Sequence, residues 1–411
     1  MSDTPDPSLT RPAAHPDLWR LDPSLHFLNH GSFGSCPKEV LAGQAALREL
    51  LERQPVQFLA RELEGRLDEA RATLADFLGA APEDLVPVPN TTAGVNTVLR
   101  SLPFRAEDEL VVTDHEYTAC RNALEFVARQ HGACFVVVRI PFPLSGPDVI
   151  RERILEAVTP RTRLVLVDHV TSQTALITPI AELVRELRER GVETLVDGSH
   201  APGMLPLDLH ALGAAFYTGN CHKWLCAPKG AAFLHVRRDV QDQVRPLSIS
   251  HGASSRRKDR SRFLLEFSWT GTLDPTAFLS VPLALRVMGS LMPGGWTALQ
   301  RRNHALAVAA RNLLLTALGL QPPCPEFMLG SMASVPIPDS KSTEPPLSPL
   351  YSDPDQAGLL ARHGIEVPII PWPEAPHRLI RISCQAYNSL GQYEVLAAAL
   401  AERFGAETQG G

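Results

Sequence analysis

Apolar residues recur along this chain in two rhythms. Leu63, Leu67, Ala70, Leu74 and Phe77 repeat at three- and four-residue spacing, the stripe of an amphipathic helix, and Gly79 stops it. The helical reading reaches back to Val40, with an interruption near Gln54-Pro55. Beyond residue 80, short β-branched runs alternate with helical stretches. Strands are expected at 84–89, 109–113, 134–140, 163–167, 192–196 and 233–236, with helices at 95–102, 117–130, 150–157 and 179–190. That alternation predicts an α/β fold of βαβ units around a mostly parallel sheet. Polar residues gather just past several strand ends: Asn90 to Gly94, Asp114 to Tyr117, Asp168-His169, and Asp197 to His200. Open α/β sheets bind ligands along that edge.

After the strand at 233–236 the rhythm changes. A long helical passage is expected from Phe278 to Leu318, then a Pro-dense stretch over 321–374 with short strands and one helix. A strand at 379–383 and a helix at 392–403 close the chain. A chain of 411 residues is long for one core and suggests two domains. The expected division is a loose arm over 1–20, a large α/β domain over 21–285 and a smaller α+β domain over 286–411. Residues 21–40 are candidates to pack with the smaller domain.

Composition narrows the class. Net charge is -6 and no basic block stands out, so no nucleic-acid surface is expected. The seven cysteines are scattered without CxxC spacing, which suggests reduced thiols and a cytoplasmic setting. The N-terminal residues do not read as a signal peptide, and no apolar run is long enough to span a membrane. No zinc-type spacing is present, and adjacent Asp114, His115 and Glu116 do not by themselves converge on a metal. No metal is expected, and no GxGxxG or GxxxxGK[ST] loop supports a nucleotide site.

One segment carries chemistry. Ala214 to Gly230 (AAFYTGNCHKWLCAPKG) holds Lys223, one of only five lysines, in largely apolar company. The apolar run Thr194-Leu195-Val196 ends in Asp197 about two dozen residues earlier. A desolvated amine and a strand-end carboxylate are the groups an aldehyde-and-pyridine cofactor needs. The amine forms a Schiff base, and the acid keeps the pyridine nitrogen protonated so that the ring is an electron sink. The pair points to pyridoxal 5'-phosphate (PLP). Thr91 and Thr92 open a helix after a strand, an arrangement that caps a helix or cradles a phosphate. Beside Lys223 and Asp197 the phosphate reading is preferred, with His222 and Asn220 as further donors. His200 either bonds the cofactor phenolic oxygen or supports a residue that does. The aromatic Tyr117 follows a strand end where a ring can lie over the pyridine.

These segments resemble the class V aminotransferase family of fold type I PLP enzymes, and within it isopenicillin N epimerase-like proteins. The likeness runs through FLNHGSFG (27–34), RQPVQFL (53–59), PNTTAGVN (89–96), TDHEYTACRNAL (113–124) and DHVTSQTALITPI (168–180). It continues in LVDGSHAPG (195–203), GNCHKWLCAPKG (219–230), WTGTLDPTAFLSV (269–281) and RISCQAYNSLGQYE (381–394). The resemblance implies a seven-stranded, mostly parallel sheet sandwiched by helices, with a smaller C-terminal α+β domain. It implies Lys223 as the Schiff-base lysine and Asp197 as partner of the pyridine nitrogen. Thr92, with Thr91, His222 and Asn220, would hold the phosphate; His200 would lie near O3′ and Ser172 beside the cofactor. Where related desulfurases stack a histidine on the ring, this chain has Tyr117, with His115 as the second candidate. Arg381 would grip the substrate α-carboxylate near Asn29 and His30. Thr272 would reach a phosphate across a homodimer interface, giving shared active sites.

The implied activity is chemistry at the Cα of an amino acid or amino-acid-like small molecule, through an external aldimine and a quinonoid. Epimerisation needs two acid–base groups, of which Lys223 is one and Tyr117 or His115 the candidates for the other. A β-eliminating C–S or cysteine-sulfoxide lyase needs no such pair. An aminotransferase and a non-catalytic PLP-binding protein are the further alternatives. Desulfurases carry a loop cysteine ahead of the carboxylate-binding arginine, and residues 364–378 contain none.

Overall fold

The structure is a computed structural model that describes residues 7–348 and 353–404. Its strands are β1 (His26–Phe27), β2 (Leu85–Val88), β3 (Glu109–Thr113), β4 (Cys134–Val138), β5 (Thr162–Asp168) and β6 (Glu193–Asp197). They continue as β7 (Phe216–Asn220), β8 (Ala232–Val236), β9 (Met332–Ile337), β10 (Ile365–Glu366), β11 (Ile369–Pro371) and β12 (Arg378–Ser383). Seven of them form the main sheet in the order β2-β8-β7-β6-β5-β3-β4, and β8 alone runs against the others.

Burial on both faces explains why these strands are apolar throughout. Val111, Val165, Val167 and Val196 enter the core under the helices Leu63–Leu78, Pro147–Glu156 and Ile180–Glu189. Their neighbours Leu110, Val112, Leu164, Leu166 and Leu195 enter a second core under Thr91–Ser101 and Thr118–His131. β7 was not expected from the pattern. Its FYTGN sequence has no β-branched run, and it is a strand because β6 and β8 both pair with it.

The passage expected as one long helix is three: Thr276–Leu279, Val281–Gly289 and Gly295–Leu318, with Pro293 in the last break. A smaller C-terminal α+β unit follows, with the antiparallel sheet β11-β12-β9 and the helices Pro354–His363 and Leu390–Phe404. The N-terminal segment joins it: β1 pairs with β10, and Ser383 N donates to Leu28 O at 2.9 Å. That pairing brings residues 29–32 to the arginine of β12. No described helix is long and apolar enough to cross a membrane.

Candidate active site

The strand ends converge as open α/β sheets require. Asp168 and Asp197 are register partners at the ends of adjacent parallel strands β5 and β6. Asp197 is almost fully buried. Its Oδ1 accepts from Ser199 N at 2.8 Å and its Oδ2 from Cys120 Sγ at 3.1 Å.

Lys223 follows β7 on a pinned turn. His30 Nε2 donates to the Lys223 carbonyl at 3.0 Å, as does Cys226 N, and Cys226 sits at φ 58°. A non-glycine residue is held there only by its surroundings. Gly34, at φ 69°, lies where any side chain would strike the His222 carbonyl, so the N-terminal segment closes directly on this turn. Lys223 Nζ stands 3.1 Å from His200 Nε2. Burial lowers the lysine to about 8, against the pull of Asp197. On its other edge His200 Nδ1 accepts from Trp224 Nε1 at 3.2 Å. The indole can only donate, so the neutral imidazole carries its proton on Nε2, facing the lysine.

The anion cradle forms at the start of the helix Thr91–Ser101. Asn90 caps it by accepting from Ala93 N at 2.8 Å, and Thr91 N donates to Asn220 Oδ1 at 3.0 Å. Asn220 therefore holds the helix start through its oxygen. Gly94 lets this helix press on β7, where a side chain would meet the Thr218 hydroxyl. Thr92 is half-buried, and the buried Thr91 Oγ1 has no partner among the described residues. His222 Nδ1 donates to Ala231 O at 3.0 Å, leaving Nε2 as the ring nitrogen open to a ligand.

Arg381 stands on β12, facing the cleft from the small sheet. Nη1 donates to Ser172 O at 2.6 Å and Ser172 Oγ at 3.2 Å, and Nη2 donates to Ser32 Oγ at 2.9 Å. Its Nε is buried without a partner among the described residues. Burial lowers this guanidinium to about 10. Ser172 and Ser32 thus orient the arginine. Asn29 stands behind them, accepting from Ser32 Oγ at 2.6 Å and donating to Glu366 Oε1 at 3.2 Å.

Three of the expected site residues have partners within the protein. His30, expected against substrate, has Nδ1 on the Tyr387 hydroxyl at 2.8 Å and Nε2 on Lys223 O, so it braces the lysine. Asn29, likewise expected against substrate, is spent on Ser32 and Glu366. His115 is turned into the protein, with Nδ1 on Thr174 Oγ1 at 2.8 Å, Nε2 on Ile140 O at 3.0 Å and its ring edge-on to Trp372. Of the two candidates for the ring position, Tyr117 is the one at the cleft, 42% exposed and close enough to feel Asp197 and Arg381. Thr272 is exposed, in the loop that lines a cavity of about 620 Å³ with Pro89 and Ala93.

Sequence reasoning did not single out Trp224, Cys120, Asp168 or the placement of Glu116. Glu116 joins neither Asp114 nor His115; a carboxylate oxygen of Glu116, Cys120 Sγ and a carboxylate oxygen of Asp197 lie within 4.8 Å of one another. The signal was present as a strand-end acid repeated in TDHE, VDH and VDG. Taken together, a lysine of lowered pKa, a buried acid and a helix-start cradle with an unpartnered hydroxyl fit PLP. Lys223, Asp197, His200, Thr91, Thr92 and His222 would hold it.

The chain is similar to known proteins. The aminotransferase class-V family matches residues 48–367. Isopenicillin N epimerase of Amycolatopsis lactamdurans is 36% identical over 402 residues, covering 93% of this chain and 96% of that protein. The probable L-cysteine desulfhydrase, chloroplastic, of Arabidopsis thaliana is 31% identical over 402 residues, covering 92% of this chain and 83% of that protein. An apo cysteine desulfurase from Thermococcus onnurineus NA1 is alike in fold, with a TM-score of 0.76 at 20% identity over 99% of this chain and all of that one.

Proposed function

Because the chain belongs to the aminotransferase class-V family and is a PLP-dependent enzyme acting on amino-acid substrates, we propose that it cleaves a C–S bond by β-elimination from a cysteine-type amino acid. The observation that carries this reading is how the proton carriers are spent. Both ring nitrogens of His30 and of His115 are engaged within the protein, while Lys223 has an amine of lowered pKa facing His200. A single acid–base group suffices for elimination.

When bound, the cofactor supplies an electron sink for the pair left at Cα. Arg381 grips the α-carboxylate through its unpartnered Nε, held square by Ser172 and Ser32. Lys223 takes the Cα proton. The Cβ–S bond then breaks, its electron pair leaves with sulfur as a thiolate, and a Cα=Cβ double bond remains. The released enamine hydrolyses to a keto acid and ammonia.

Epimerisation is the second reading, favoured by the half-exposed Tyr117 and by the epimerase among the 36% identical relatives. Burial, with Cys120 and Asp197 beside it, pushes the Tyr117 phenol up, which makes it a poor base at neutral pH. One experiment in D2O with L-cysteine, L-cystine and a panel of other amino acids separates the readings. Sulfur release with pyruvate and ammonia supports elimination. An inverted, Cα-deuterated amino acid without sulfur release overturns it for epimerisation, and a keto acid with aminated cofactor overturns it for transamination.

The same reading includes a homodimer with shared sites. Leu247, Ile249 and Leu273 are exposed beside the apolar cavity that holds the Thr272 loop, and a second copy of the chain would cover them.

A further inference from the structure

Three neighbouring strands of the sheet, β3, β5 and β6, each send a carboxyl to the same buried place. Asp197 and Asp168 end β6 and β5 in register, and Glu116 follows β3, the strand on the far side of β5. None is more than 2% exposed. Asp197 is well served by Ser199 N and Cys120 Sγ. The others are less well served: neither oxygen of Glu116, nor Oδ2 of Asp168, makes a well-formed hydrogen bond among the described residues, and the donor nearest them is the Tyr117 backbone N–H. Glu116 lies within hydrogen-bonding reach of Asp168. Two ionised acceptors facing each other in a buried site are strongly unfavourable, whereas one proton between them satisfies both.

We propose that Glu116 is a positioning residue that stays protonated and donates a hydrogen bond to Asp168, so that the carboxyl cluster keeps one proton and Asp197 is left to partner the cofactor's ring nitrogen. The groups facing the cluster are Cys120 from the helix Thr118–His131, Lys223 beside Asp168, and Tyr217 and Tyr117 beside Asp197. Lys223 is the one cation among them. Burial and the neighbouring carboxylates push Glu116 and Asp168 upward, in keeping with a retained proton. A neutral Glu116 removes one like charge from the buried cluster beside Asp197.

The test reads the proton itself. Infrared spectra of the holoenzyme and apoenzyme, with and without carboxyl-labelled glutamate, should show a protonated-acid C=O band that shifts with the label and in D2O. Glu116→Gln should abolish that band. Because the Gln amide still donates to Asp168, PLP affinity and the cofactor absorption spectrum should stay within about twofold of the parent. Glu116→Ala removes the donor and should weaken PLP binding about tenfold, the loss of a hydrogen bond to a charged group. The proposal is overturned if the parent enzyme shows no glutamate-derived acid band. It is equally overturned if Glu116→Gln weakens PLP as much as Glu116→Ala, since an ionised glutamate would then be what the site needs. The infrared band is read on the unmutated protein, so it stands even if a variant fails to fold. Neither readout depends on which bond the enzyme breaks.

Discussion

The floor of the cleft and its mouth are built on different terms. At the floor, Asp197, Cys120, His200 and Trp224 are almost fully buried; Cys120 is hydrogen-bonded to Asp197, and Trp224 to His200, which Lys223 reaches. At the mouth, Tyr117 is half-exposed, Thr272 lies in an open loop, and Arg381 keeps an unpartnered donor. The floor supplies what any reaction of this cofactor requires: an amine, an acid and an anion cradle. On the proposed function, the mouth is where substrate choice would be made. An epimerase and a probable cysteine desulfhydrase both match nearly the whole chain. A shared floor is compatible with divergent mouths.

The largest effects should come from the floor. On the proposed function Lys223→Ala removes the group assigned to the Cα proton, and turnover should fall by about 10²–10⁴, the worth of a positioned acid–base group, or more, because covalent attachment would be lost too. Borohydride reduction and peptide mapping of the parent should place the pyridoxyl group on Lys223, and an adduct on another lysine would move the floor elsewhere. Asp197→Ala should cost about 10²–10³ in kcat while retaining some cofactor, because the lost interaction serves developing charge. A rate within a few-fold of the parent would make Asp197 a purely structural strand end.

That contrast also explains what could be read from residues alone. β3, β5 and β6 were legible because strands covered on both faces must be apolar throughout. β7 was not, since FYTGN is held as a strand by its neighbours' pairing rather than by its own preference. Lys223 stood out because lysine is scarce here, and Asp197 because it ends an apolar run. The partnership of Glu116, Asp168 and Cys120 was invisible because it depends on sheet order: only the adjacency of β3, β5 and β6 brings those side chains together. The hydrogen-bond partners of His115 and His30 were hidden for a related reason. Their residue type suggests proton transfer, but their partners on Ile140 O and Lys223 O consume the nitrogens, and partners are a property of the fold.

The mouth is tested across two copies. If Thr272 serves the partner's phosphate, Thr272→Ala alone should weaken cofactor binding. A verified heterodimer of Lys223→Ala and Thr272→Ala subunits should then regain one intact site and roughly half the parent activity, following the symmetry of a two-fold interface. Sedimentation as a monomer would refute the shared site. So would heterodimers without recovered activity beside a strong Thr272→Ala defect.

The smallest effect should come from a residue at the floor that touches neither the acid nor the amine. Trp224 donates to His200 Nδ1, which keeps the imidazole proton on Nε2 and aims an N–H at Lys223. An N–H facing the amine favours its neutral form, in the same direction as the burial that brings Lys223 to about 8. Since only the neutral amine attacks the cofactor aldehyde, capture of PLP by the apoenzyme should speed up about tenfold per pH unit below about pH 8 and level off above it. Trp224→Phe keeps most of the bulk but removes the donor. The imidazole is then free to place its proton on Nδ1 and offer a lone pair to the lysine ammonium, which raises the lysine's pKa. The midpoint of the capture profile should therefore move upward by less than a unit, with capture at neutral pH slowed about 2- to 10-fold, the net worth of one hydrogen bond. A loss of packing alone would slow capture equally at every pH. A midpoint that stays put or moves down would show that Trp224 does not set the His200 tautomer.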